Sequence, residues 1–168
     1  GKGILIFFTI TFTAYWILDT SIRLFKYLKG KAVSRCRVVL ETGGQKMELE
    51  GLLDTGNCLT DRNTGKPVCV MEKDRFSSML EKKQREALES FCSLNNIKGE
   101  DLGSLNPRFI FYTALGCEKG LLPVVTADRL EIFWEGRKKS ISQAAIGLSA
   151  APLSPYRKFE MIISPKIL

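Results

Sequence analysis

The hydrophobic pattern of the chain changes character near residue 32. Residues 4–18, Ile-Leu-Ile-Phe-Phe-Thr-Ile-Thr-Phe-Thr-Ala-Tyr-Trp-Ile-Leu, form one apolar run without a charged side chain, ahead of Asp19. A helix that crosses a bilayer takes roughly 20 apolar residues. This run is shorter and the sequence starts at Gly1 rather than Met, so residues 1–19 read as the end of a transmembrane helix in a chain cut from a longer membrane protein. No small-residue cleavage site follows the run. Instead come Arg23, Lys26, Lys29, Lys31, Arg35 and Arg37, and basic residues this close to a membrane helix mark its cytoplasmic side. The pattern therefore predicts a basic juxtamembrane linker over 20–32 and a folded body over 33–168 that faces the cytoplasm.

Beyond the linker the apolar runs shorten to strand length, bounded by Gly, Asn and Pro, which predicts a mainly β domain. Strands are expected at 36–41 and 45–53, joined by Thr42-Gly43-Gly44, whose glycines suit a tight hairpin turn. A short strand at 67–71 comes next. Asp74 can cap a single helix running to about Cys92, with Phe76, Met79, Leu80, Ala87, Leu88 and Phe91 near helical spacing. Strands resume at 108–112, 121–125, 130–134 and 140–146, with Glu135-Gly136 as a turn between the last two.

Charge and composition narrow the function. The net charge of +7 is concentrated: residues 1–37 hold seven Lys/Arg against Asp19, leaving 18 basic and 17 acidic residues in the remainder. A nucleic-acid reader carries its basic stripe on the folded body, and no such stripe is present in this nearly neutral part. There is no histidine, which excludes Ser-His-Asp and Cys-His catalysis within the chain and zinc sites that need imidazole. The five cysteines, Cys36, Cys58, Cys69, Cys92 and Cys117, form no CxxC pair. They read as reduced thiols, most of them small core residues, and no metal or cofactor is implied.

The chemistry-bearing run is Leu52-Leu53-Asp54-Thr55-Gly56-Asn57. Hydrolysis of a peptide bond by carboxylates needs two of them close together sharing one proton, one acting as base for water and the other as acid for the carbonyl oxygen. Each must stand on a tight, water-accessible turn at the end of a buried strand. Leu52-Leu53 supplies such a strand and Asp54 stands at its exit. Thr55 has a hydroxyl able to reach a partner loop, and Gly56 lets backbone approach the carboxylate without a Cβ in the way. The same tripeptide also suits an ordinary turn in which Asp54 accepts downstream N–H groups. Two further segments bear on the choice: the apolar stretch Ala144-Ala145-Ile146-Gly147, and the glycine-containing connection 113–120, where Leu115, Gly116 and Gly120 would form a lid over substrate.

In this order of elements, residues 36–150 resemble the retropepsin-like aspartic proteases, in which an apolar-apolar-Gly run buttresses the catalytic loop; Asn57, Ile146 and Gly147 are the matching support residues here. The run from Gly51 to Asp61, with Thr64-Gly65-Lys66-Pro67-Val68, Arg108-Phe109-Ile110 and the ending Ile146-Gly147-Leu148-Ser149 through Pro165, is similar to the sporulation sigma-E factor processing peptidases of endospore-forming bacteria. That resemblance implies a single-lobe acid protease domain with one helix and Asp54 as its catalytic residue. It also implies a cell-membrane location in the mother cell, the sigma-E precursor as protein substrate, and a forespore-derived activator acting through a membrane domain that this chain lacks. One Asp-Thr-Gly per chain further implies a homodimer about a two-fold axis, with a second Asp54 completing the site. By analogy, the segment 159–163 is a candidate for sheet pairing across the interface. The alternative is a membrane-anchored, non-catalytic β-rich interaction domain in which Asp54 is only structural. A phosphate-binding loop at 54–57 is disfavoured, because no helix pattern follows directly and no second acidic motif accompanies it.

Overall fold

The computed structural model describes residues 1–31, 33–94, 100–114 and 117–168. Two units are distinguished, Gly1–Val33 and Ser34–Leu168.

The first unit is the helix α1, Lys2–Lys31. It runs without a break through Asp19 and the basic segment, since neither Gly nor Pro occurs between Ile4 and Lys29. Over Lys2–Leu24 it is long and apolar enough to cross a membrane. Its small hydroxyl side chains bond back to the helix: Thr11 donates to the Phe7 carbonyl at 2.9 Å, Thr20 to Trp16 at 2.8 Å and Ser21 to Ile17 at 2.8 Å. An apolar surface is therefore not interrupted by unpaired donors. Asp19 and Arg23 pair at 2.8 Å one turn apart.

The second unit is a closed sheet. β1 (Val33–Thr42) and β2 (Gln45–Asp54) form the expected hairpin, and Gly43 and Gly44 both take positive φ in its turn, as a two-residue hairpin requires. Along β1 the residues Cys36, Val38, Leu40 and Thr42 are buried while Arg35 and Arg37 are exposed, the period-two pattern of a strand with one face on a core. β3 (Val68–Glu72), β4 (Arg108–Ala114), β5 (Cys117–Trp134), β6 (Arg137–Ser149) and β7 (Met161–Ile163) complete the order β1-β2-β7-β3-β6-β5-β4. A further pairing of β1 with β5, from Arg37↔Phe133 to Glu41↔Arg129, closes the ring into a barrel. The chain is thus mainly β, as its pattern predicts. One core of buried side chains, including Leu40, Met71, Leu130, Ile132, Ile146, Met161 and Ile163, fills it. A smaller cluster of Val68, Ile110, Leu122, Val124 and Ala145 lies under β4.

Three expectations are corrected. The single helix from Asp74 to Cys92 is two, α2 (Lys73–Ser77) and α3 (Lys82–Cys92). Arg85 explains the break, since its guanidinium donates to the Ser77 and Leu80 carbonyls at 3.2 and 3.1 Å and so satisfies groups freed where α2 ends. The strands expected at 121–125 and 130–134 are one long β5, because Thr126, Ala127 and Arg129 keep pairing with β6. Finally, β7 is not an edge available to another chain. It runs parallel to β2 on one side and antiparallel to β3 on the other, so both of its hydrogen-bonding edges are used internally.

The segment joining β2 to β3 is stapled by a buried carboxylate. Asp61 is 1% exposed at its side chain and accepts the Asn63 N–H at 3.0 Å, the Thr64 hydroxyl at 2.7 Å and Arg108 Nε at 2.7 Å. Arg108, the first residue of β4, also donates to the Asn106 carbonyl and to Thr126 Oγ1. Burial alone would raise the Asp61 pKa, but these donors and the Arg108 charge outweigh it and hold the carboxyl below its ordinary value. A depressed folded-state pKa stabilises the fold fully above the unfolded-state value near 4, and the contribution is lost as pH falls through the folded-state value. Asp61→Ala leaves the Arg108 charge buried and unpaired, so a loss of about 3–5 kcal/mol is expected in urea titrations at pH 7. The difference from the parent chain should shrink when the titrations are repeated below about pH 4.

Candidate active site

Asp54 is the last residue of β2, half-buried, directly after the buried Leu53. Its strand is held in register by β7, with Leu52 opposite Ile162 and Leu53 opposite Ile163. The chain then turns back on itself. The Asn57 N–H donates to the Asp54 carbonyl at 3.0 Å, and the Gly56 N–H donates to Asp54 Oδ1 at 2.9 Å. This bond fixes the plane of the carboxylate. A Cβ at Gly56 would stand 3.2 Å from Oδ1, tighter than ordinary contact, so a side chain there would press on the carboxylate. No donor among the described residues reaches Oδ2, and Thr55 is exposed with its hydroxyl unbonded to them.

Asn57 ties this turn to the barrel. Its side chain is buried; Nδ2 donates to the Val68 carbonyl at 3.1 Å and Oδ1 accepts the Leu59 N–H at 3.2 Å. Its own carbonyl accepts the hydroxyl of Ser164 at 3.0 Å. Ser164 is fully buried at the end of β7. It went unnoticed in the sequence although a signal exists: Ile162-Ile163-Ser164 is an apolar pair followed by a small residue, the same pattern as Ala145-Ile146-Gly147.

Ile146 and Gly147 lie on β6, separated from β2 by β7 and β3. They pair with Cys69 and Val70 and so meet the turn at one remove, through the strand whose Val68 carbonyl holds Asn57. A Cβ at Gly147 would lie 2.6 Å from Leu122 Cδ2, so glycine is what lets the small cluster under β4 close. Of the lid residues, Leu115 and Gly116 fall outside the described residues. Gly120 pairs with Tyr112 across β4 and β5, and a Cβ there would come within 2.3 Å of the Tyr112 ring, which lies directly over the glycine.

These elements enclose a cavity of about 530 Å³ beside Asp54. Its floor is Asp54 and the turn residues Gly56 to Thr60 with Arg62, Val70 and Ile162, and its roof is Phe111 and Tyr112 from β4. The sequence pattern predicts no more for either aromatic than a place on a strand. Phe111 is 73% exposed.

The cysteines offer no competing nucleophile in the core. Burial pushes the thiol pKa of Cys69 up to about 12, and burial together with the nearby Glu50 charge pushes Cys36 to about 11. Cys92 is raised to about 11, again by burial. Thiols of this kind stay protonated and inert at neutral pH. Cys58, which is exposed and lines the cavity, is a free cysteine. What the arrangement presents is one carboxylate, fixed through one oxygen, at the wall of an open cavity of mixed polar and apolar lining that also carries Arg62.

The model of the peptidase family U4, sporulation factor SpoIIGA, matches residues 2–167. A putative sporulation sigma factor-processing peptidase of Bacillus thuringiensis subsp. kurstaki is 29% identical over 133 residues, 79% of this chain and 83% of that protein. The sporulation sigma-E factor-processing peptidases of Priestia megaterium and Bacillus subtilis are 26% and 28% identical over 74% and 80% of this chain. The matched regions amount to 41% and 44% of those two proteins, so the chain spans less than half their length. No solved structure matches the chain. The match over nearly every residue, through the Asp54 turn, the Asp61 staple and the Ser164 strand alike, shows that the chain belongs to the U4 peptidase family of sporulation factor SpoIIGA.

Proposed function

We propose that residues 33–168 form a retropepsin-like aspartic endopeptidase with Asp54 as its catalytic carboxylate, and that it removes the N-terminal pro-sequence of the sporulation sigma-E precursor. The observation that carries this reading is the fixed Asp54 carboxylate at the wall of a cavity roofed by β4. A single carboxylate cannot be both base and acid in one step, so Asp54 of the partner subunit supplies the second across a two-fold axis. One of the pair takes a proton from water as its oxygen attacks the peptide carbonyl carbon; the other gives its proton to the carbonyl oxygen. Collapse of the tetrahedral intermediate breaks the C–N bond, and the departing nitrogen takes up a proton from the pair. Thr55, exposed at the turn, is free to reach the partner's turn. Since β7 is internal, the interface is built from the faces around Asp54 rather than by extending the sheet through 159–163.

In the same reading, residues 1–19 are the end of a transmembrane helix, 20–32 a basic juxtamembrane segment and 33–168 the protease domain on the cytoplasmic side, in the mother cell. A forespore-derived activator works through a membrane domain outside this chain. The sigma-E precursor is the substrate named by the relatives from Priestia megaterium and Bacillus subtilis.

The test is co-production of the full-length enzyme with the sigma-E precursor, read by immunoblot. Asp54→Ala should abolish processing while the protein still accumulates, whereas continued processing would mean that the domain is a non-catalytic interaction module. Asn57→Ala and Ser164→Ala keep the carboxylate but loosen its turn. Each should slow processing by about ten- to a hundredfold, the usual effect of a misplaced catalytic group.

A further inference from the structure

A second cavity, of about 460 Å³, adjoins the Asp54 cavity. Tyr112 lines both and forms the wall between them. Its lining is mixed: the buried Leu122 and Leu148 beside Pro123 give it an apolar part, and Ser93 and Ser149 a polar, uncharged one. The cation at its rim, Lys73, is held by Glu89 at 2.6 Å, so it offers no uncompensated charge to a ligand. Two exposed apolar side chains bridge the cavities on the outside: Phe111, 73% exposed, lines the first, and Leu121, 41% exposed, lines the second. They are direct cross-strand partners, so a chain lying along one would meet the other.

The spacing suits an extended peptide. Val70 of β3 lines the first cavity and Lys73, three residues on, lines the second. Lys73 opens α2, so three chain steps put the two at most roughly 10 Å apart, within about three residues of extended chain. We propose that the second cavity is a substrate subsite, which takes an uncharged aliphatic side chain two to four residues away from the one filling the Asp54 cavity, and that Phe111, Tyr112 and Leu121 form the surface over which the peptide runs. This rests on the peptidase reading for the direction of the chain past Asp54, but it concerns recognition and is separable from cutting.

The experiment is affinity selection from a randomised dodecapeptide library on the intact chain in nanodiscs, in an Asp54→Asn background so that bound peptides survive. Two apolar positions separated by one to three residues should be enriched. Ala151→Trp, which fills the second cavity from its exposed rim, should erase the preference at one of the positions, keep the other, and weaken binding of a selected peptide by about tenfold. Enrichment of a single position, no enrichment, or a selection profile unchanged by Ala151→Trp would overturn the subsite. Leu121→Asp adds a second check: a fall in particle mass by light scattering with unaltered peptide selection would make this face a contact between copies, and would overturn the proposal too. A chain that selects both positions yet never cuts in its Asp54 form would sink the peptidase reading and leave the subsite standing.

Discussion

The buried carboxylate of Asp61 joins the floor of the candidate site to its roof. It lies seven residues beyond Asp54 in the loop that builds the cavity, and its ion pair partner Arg108 begins the strand that carries Phe111 and Tyr112. Such a pair contributes less by raw stability than by geometry, because breaking it strands a charge in the interior. While it is intact, the Asp54 turn and the β4–β5 hairpin are held to the same barrel. The second tie, from Ser164 to the Asn57 carbonyl, works from below. Between them they preorganise a turn that would otherwise be a mobile surface loop.

The barrel explains why these ties come from distant parts of the chain. Closing the sheet through β1 and β5 leaves β2 flanked by β1 and by the C-terminal strand β7. Asp54 is therefore supported by the last residues of the body, and β3, paired with both β7 and β6, carries the influence of Ile146 and Gly147 to the same place. With β7 enclosed, both of its edges are closed to pairing with another chain.

Much of this was legible in the sequence where local pattern and tertiary environment agree. The β1–β2 hairpin follows from alternating burial and a Gly-Gly turn, the β5–β6 turn from Glu135-Gly136, and the Asp54 turn from a polar Asp-Thr-Gly after two leucines. Reading failed where a long-range partner decided the outcome. Thr126 to Arg129 look like a loop, yet β6 pairs with Thr126, Ala127 and Arg129 and keeps the strand going. Apolar spacing from Phe76 to Phe91 suggests one helix, but it cannot reveal that Arg85 folds back to cap the first. The apolar-apolar-small pattern occurs twice, and nothing local says that Ser164, not Gly147, touches the turn. Asp61 and Arg108 stood within the segments that carry the family resemblance, and only the fold reveals that they meet.

The central claim is that one chain holds half of a catalytic site, and mixed assemblies test it most directly. Wild-type and Asp54→Ala chains, co-produced at a fixed total level in varying ratio with the sigma-E precursor, form mixed dimers in which one carboxylate is missing. If the pair is shared, processing falls as the square of the wild-type fraction, to about a quarter at equal amounts. A linear fall, to about half at equal amounts, would mean that each chain carries a complete site and would contradict the account.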